Sequence, residues 1–171
     1  MKLSLIGLPG SGKTTLGRQL AAHFGLPFLD LDAEIEAQAG RSIPQIFAGE
    51  GEAAFRQLEA AVLRTVLAQP QPLLLATGGG TPCFHGNMAV LNEGSFTLWL
   101  DVPVPVLAAR LQAAEGARRP LLATAGNVES WLNETLAARQ GFYKQARLRY
   151  PGTASSVSEV AAQLVATGFT A

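Results

Sequence analysis

Gly7-Leu8-Pro9-Gly10-Ser11-Gly12-Lys13-Thr14 decides how this chain is read. It satisfies G-x-x-x-x-G-K-[ST], and its neighbours supply the setting that pattern needs. Leu3-Ser4-Leu5-Ile6 before it suits a short buried strand, and Leu16, Leu20, Ala21 and Phe24 after it fall at helical spacing. A strand that turns through glycines into a helix N-terminus points several backbone N–H groups at one spot, unblocked by side chains, where an anion can sit. Lys13 can then reach the outer phosphates and Thr14 can offer its hydroxyl to Mg2+. The alternative is a plain glycine turn. Four fixed positions match by accident in on the order of one chain in a hundred at usual residue frequencies, and the strand-before, helix-after context lowers that further. The loop is read as phosphate-binding, and the protein as a user of a nucleoside triphosphate.

Working outward, 171 residues make one domain's worth of chain, enough for a full core. Lys plus Arg equals Asp plus Glu, 13 each, so no global field attracts nucleic acid. No apolar run approaches the ~20 residues that span a bilayer, and the short apolar start leading straight into the loop is not expected to be a signal peptide. Cys83 is the single cysteine, which excludes an internal disulfide and fits a reducing cytoplasm. His23 and His85 stand apart, so no metal-ligand cluster is expected beyond Mg2+ carried with the nucleotide.

Strands and helices alternate. Strands are expected near 2–6, 27–30, 72–76, 96–100 and 153–156, with helices near 13–24, 33–40, 43–48, 50–68, 88–91, 104–112, 128–143 and 157–166. This order implies an α/β three-layer sandwich with a five-stranded parallel sheet, whose ligands bind at the C-terminal strand ends. Residues 115–126, charged and interrupted by Gly116, Pro120 and Gly126, break the pattern and are expected to form a mobile lid.

A guanine-reading Asn-Lys-x-Asp is absent, which argues against a GTPase. Asp101 ends the apolar run Leu98-Trp99-Leu100 and could meet a metal as in motor-type ATPases, or only cap the following helix. Asp30 closes the second strand beside Asp32. Two acids one residue apart point to opposite sides of an extended strand, so one could serve the metal and the other an acceptor hydroxyl. They could equally be an N-cap and a first-turn acid. Glu52, Arg56 and Glu59 share a helix face, either as a solvated ion-pair stripe or as a site in which Glu59 holds Arg56 in place.

The chain resembles the shikimate kinases. The resemblance rests on the phosphate loop, Phe28-Leu29-Asp30-Leu31-Asp32, Gly40-Arg41-Ser42-Ile43, Ile46-Phe47, Gly51-Glu52 with Phe55-Arg56 and Glu59, Gly78-Gly79-Gly80, Arg119-Pro120-Leu121-Leu122, and Arg139 with Tyr143. These occur in the family's order and span most of the chain. The resemblance implies a single P-loop kinase domain over 1–171 that moves the γ-phosphoryl of ATP to the 3-hydroxyl of shikimate, with Mg2+, as a cytoplasmic monomer. It implies nucleotide contacts from Gly10, Ser11, Gly12, Lys13, Thr14 and Thr15, with Arg110 on the adenine and Arg119 in the lid. Asp32, Arg56, Gly78, Gly79, Gly80 and Arg139 are implied for shikimate, Thr14 and Asp30 for the metal, and Lys13, Asp32 and Arg119 for catalysis. One departure stands out. The family commonly places an arginine near the adenine after the last strand, where this chain has Gly152-Thr153-Ala154-Ser155-Ser156. The alternatives are a kinase for another small hydroxy acid such as gluconate, or a P-loop ATPase or switch acting on a partner protein.

Overall fold

The structure, a computed structural model, describes residues 1–113, 127–152 and 156–171. The expected lid with Arg119 therefore lies outside the described residues. Among the described residues five strands are present: β1 (Leu3–Ile6), β2 (Phe28–Asp30), β3 (Leu74–Ala76), β4 (Phe96–Leu100) and β5 (Leu148–Tyr150). All pair in parallel, in the order β2-β3-β1-β4-β5. The chain moves out from β1 to β2 on one side and later crosses to β4 on the other. The reversal of direction falls at β1, where open parallel sheets bind ligands.

Alternation along each strand sorts the core into two layers. Leu3, Leu5, Leu74, Leu98 and Leu100 face α1 (Lys13–Phe24) and α7 (Val157–Ala166), meeting Leu20 and Leu164. Ile6, Leu75 and Trp99 face the opposite way, toward α3 (Ile43–Ala68), α4 (Asn87–Gly94), α5 (Val104–Ala113) and α6 (Val128–Tyr143). α2 (Leu31–Ala39) packs on α3. With both faces covered, β1 reads as an unbroken buried run, as parallel strands do. None of the described helices is long and apolar enough to cross a membrane.

Local chemistry sets the ends of these elements. Ser42 starts α3 through a capping box, its Oγ accepting from Gln45 N at 3.4 Å while Gln45 Oε1 accepts from Ser42 N at 2.9 Å. Within α3 the backbone leaves helical geometry at Gly51 (φ 80°, ψ 177°), a left-handed φ that glycine tolerates, so 43–50 and 52–68 are two helical pieces, with the break two residues later than the sequence suggested. Residues 153–155, where the sequence reading expects the last strand, lie outside the described residues. The last described strand is β5, which that reading missed, with Leu148 paired to Leu98 and Tyr150 to Leu100. Its charged Arg149 hides it from an apolar-run criterion, yet an edge strand accommodates a charge readily.

Gly17 lets α1 press onto the sheet. A Cβ there would lie 2.7 Å from Phe28 Cε2, 3.1 Å from Leu74 Cδ2 and 3.2 Å from Leu5 Cδ1. Gly→Ala in a helix normally gains up to ~1 kcal/mol, whereas overpacking a core costs about 1–3 kcal/mol. Gly17→Ala is expected to lose about 1 kcal/mol net in urea unfolding. A gain instead would mean that the Phe28 ring swings away without cost.

Candidate active site

The C-terminal strand ends open into a cleft of about 1000 Å³. The phosphate loop forms one wall. Gly7 (φ 143°) turns the chain off β1 so closely that a Cβ would lie 2.7 Å from Leu100 O on β4. Gly10 (φ 79°) passes over Leu111 of α5, where a Cβ would lie 3.1 Å from its Cδ2. Gly12 (φ 89°) is the N-cap of α1 and carries no capping side chain, so the first N–H groups of the helix face the cleft unblocked. Lys13 is largely buried, and its Nζ donates to Gly7 O at 2.9 Å and Leu8 O at 3.0 Å. The ammonium thereby closes the loop around itself.

Asp30 ties this wall to β2. Its Oδ2 accepts from Thr14 Oγ1 at 2.9 Å and its Oδ1 from Asp32 N at 3.1 Å. Asp30 is therefore the N-cap of α2 and the partner of Thr14 at once. The extended form expected through Asp32 does not persist, because α2 begins at Leu31 and places Asp32 in its first turn. Asp101 takes no part here. It accepts from Arg149 Nε at 2.6 Å, and that guanidinium lies over the Trp99 ring. Asp101 thus neither joins Thr14 nor caps α5.

The facing wall is built around Gly78-Gly79-Gly80. A Cβ on Gly78 would lie 3.1 Å from Asp32 Oδ1, on Gly79 2.9 Å from Pro9 Cδ and 3.2 Å from Arg139 Nη1, and on Gly80 2.7 Å from Arg56 Nη2. Each glycine thus admits a different site residue against the backbone. The triple glycine is what lets Asp32, Arg56 and Arg139 converge. Tyr143, fully buried on α6, donates from its hydroxyl to Gly79 O at 2.6 Å and pins this turn. Burial pushes its phenol up to about 12, so it remains a donor.

Arg56 is held from several sides. Its Nη1 donates to Glu59 Oε2 at 3.0 Å, its Nε and Nη2 to Glu52 Oε1 at 3.2 Å each, and its guanidinium carbon stands 4.3 Å from the centroid of the Phe84 ring. The Glu52–Arg56–Glu59 stripe is no solvated face: Glu59 is 1% exposed, while Glu52 stays exposed at the rim. The holding role expected of Glu59 matches this geometry. Thr81, which no sequence signal marked, completes it by donating to Glu59 Oε1 at 2.6 Å.

Half-buried Asp32 has its carboxyl raised to about 6, first by burial, then by the negative charge of Asp30 and Glu59, with Lys13 pulling the other way. Burial likewise pushes the Cys83 thiol up, which suits packing rather than nucleophilic attack. Exposed Arg110 reaches back to the loop, its Nη1 3.4 Å from Gly10 O. Thr15 lies exposed at the start of α1.

A parallel sheet carrying this loop, faced by arginines and a raised carboxylate, defines a P-loop kinase of a small molecule. The comparisons with known proteins sharpen that class. The shikimate kinase family model matches residues 9–168. A shikimate kinase of Synechococcus elongatus is 44% identical over 165 residues, covering 96% of this chain and 84% of the relative. Among solved structures, a shikimate kinase from Bacteroides thetaiotaomicron superposes with a TM-score of 0.89 at 32% identity, over 96% of this chain and 98% of the other. One from Acinetobacter baumannii, in complex with shikimate, gives 0.84 at 34% identity over 96% and 90%. The chain belongs to the shikimate kinase family.

The raised Asp32 carboxyl has a consequence for stability. Its folded value near 6 lies above the ordinary 3.8, so the folded state binds the extra proton between those values. Stability from this group is therefore full below pH ~4 and is lost as pH rises through 6. Asp32→Asn should stabilise the protein by about 1–3 kcal/mol at pH 8, with the difference fading by pH 4. Thermal melts of both proteins across that range test it, and equal melting at every pH would contradict the shift.

Proposed function

We propose that this protein transfers the γ-phosphoryl group of ATP to the 3-hydroxyl of shikimate, giving shikimate 3-phosphate and ADP. The observation that carries the reading is the convergence of Asp32, Arg56 and Arg139 on the triple glycine, across the cleft from Lys13 and the loop. One wall suits phosphates. The other suits a small hydroxylated carboxylate, since guanidinium groups bind carboxylates through paired, charge-assisted hydrogen bonds.

Little covalent help is needed for such a transfer; alignment and charge supply most of the rate. Lys13, now on the carbonyls of Gly7 and Leu8, moves its donors to the outer phosphate oxygens, while the amides at the start of α1 hold the inner ones. Arg56 and Arg139 fix the acceptor's carboxylate, which turns its ring so that one hydroxyl meets Asp32. As the bond from that oxygen to phosphorus forms, the bond from phosphorus to the β–γ bridging oxygen breaks and ADP leaves. The hydroxyl proton passes to the Asp32 carboxylate. A group titrating near 6 is ionised at neutral pH, yet basic enough to take part in that transfer. Arg119, outside the described residues, keeps the phosphate-facing role that the family resemblance implies.

Thr14 and Asp30 fit Mg2+. Hard oxygens stand side by side there, and among the described residues no cluster of three His, Cys, Asp or Glu forms an all-protein cage. That is the sparse protein ligation Mg2+ takes beside phosphates. Bound there, Mg2+ would neutralise charge on the phosphate oxygens. With the same reading go a single domain over 1–171, a monomer, and a reducing cytoplasm in keeping with the lone Cys83.

ADP release followed with shikimate, with gluconate and without acceptor tests the reading. Turnover is expected with shikimate and only a slow background otherwise. Release that ignores the acceptor would favour an ATPase or switch, and preference for gluconate would favour another small-acid kinase. In the same assay, Arg56→Ala or Arg139→Ala should raise the KM for shikimate about ten- to a hundredfold, the loss of a charged hydrogen bond, with little change in the KM for ATP. Arg→Lys should rescue only partly, because an ammonium lacks the planar fork. Equal losses toward both substrates would remove the two arginines from the acceptor site.

A further inference from the structure

We propose that Thr81 is a positioning residue for acceptor binding: acting through Glu59, its hydroxyl fixes the guanidinium of Arg56. The inference rests on the kinase reading above and assigns a part to a residue outside the substrate's reach. Thr81 is completely buried, so it does not touch an acceptor in the cleft. Its Oγ1 donates to Glu59 Oε1 at 2.6 Å, and the other oxygen of that carboxylate, Oε2, accepts from Arg56 Nη1 at 3.0 Å. Glu59 is itself 1% exposed, so water cannot readily replace either donor.

A buried carboxylate with one donor per oxygen has its plane set by both. Remove the hydroxyl, and Oε1 is left as a desolvated anionic oxygen, which is costly. The carboxylate then turns to share Arg56, pulling Nη1 from the direction it now holds. Thr81 is well anchored for such a task. Its carbonyl accepts from Nδ2 of buried Asn87 at 3.0 Å, while Asn87 Oδ1 accepts from Arg64 Nη1 at 3.1 Å. Arg64 Nη2 also donates to His85 O at 2.7 Å. Two arginines of α3, Arg56 and Arg64, are thereby tied to one loop. That loop also lays Phe84 on the Arg56 guanidinium. The acceptor-facing arginine is held by a fixed socket rather than by its own flexible stem, which lowers the ordering cost on binding.

The test compares Thr81→Val, which removes the hydroxyl at nearly constant shape, with Thr81→Ser, which keeps it. Steady-state kinetics of the whole chain are measured against shikimate and ATP. Thr81→Val should raise the KM for shikimate roughly tenfold, as expected for losing a hydrogen bond to a charged group, with the KM for ATP unchanged. Thr81→Ser should stay near wild type. In an Arg56→Ala background Thr81→Val should add nothing, since its effect runs through Arg56. Should the valine variant not fold, Thr81→Cys, a weaker donor, should show the same one-sided rise in smaller measure. An unchanged acceptor KM, parallel rises for both substrates, or an effect that persists without Arg56 would each overturn the inference. Wild-type turnover on shikimate in the same plate separates the two levels: a silent wild type overturns the kinase reading and the inference with it, whereas an active wild type with an unaltered Thr81→Val overturns the inference alone.

Discussion

The junction where β1 ends and α1 begins is the constraint on which the rest of this structure depends. β1 is the central strand and is buried along its whole length, so its end is fixed by the sheet on both sides. Gly7 must turn there beside Leu100 O with no room for a Cβ, and Gly10 must clear Leu111. Lys13 then folds its ammonium back onto the carbonyls of Gly7 and Leu8. A loop wedged between β1, β4 and α5 cannot relax into a generic turn. Its amides are set before any phosphate arrives, and such preorganisation makes electrostatic stabilisation effective.

The opposite wall answers a different problem, which is how to gather charges of both signs in a half-dry cleft. Asp30, Asp32 and Glu59 crowd one another, and the raised Asp32 carboxyl reflects first its burial and then that crowding. Asp30 is offset by Thr14 and by its capping role, Glu59 by Arg56 and Thr81. Asp32, which Lys13 draws down only in part, carries the perturbation. Sites held at the expense of stability are what function demands of a fold.

Much of this was legible in the sequence because it rests on local rules. The phosphate loop, the alternation of strands and helices, and a break between two helical pieces near residue 49, two short of Gly51, follow from residue type and spacing. The site needed more. Asp30 was read as either a cap or a metal partner, and the folded chain makes it the cap of α2 and the partner of Thr14 together; its two oxygens point to different neighbours. Arg56 with Glu52 and Glu59 looked like either a surface stripe or a site, because burial of one helix face is decided by what packs on it. Thr81 and Phe84 carried no signal, since their partners lie across a tertiary contact. β5 was missed because an edge strand of three residues with an arginine at its centre leaves no apolar run to find.

The central claim is that the two walls hold a phosphate and an acceptor hydroxyl in line, so that the phosphoryl group passes directly between them. Phosphorus NMR of a reaction containing the protein, Mg2+, ATP and shikimate tests this most directly. The account predicts that ATP lost appears in equal amount as ADP and as one phosphate monoester coupled to a proton of the acceptor ring, with inorganic phosphate near background. Inorganic phosphate as the main product, with shikimate unchanged, would contradict it.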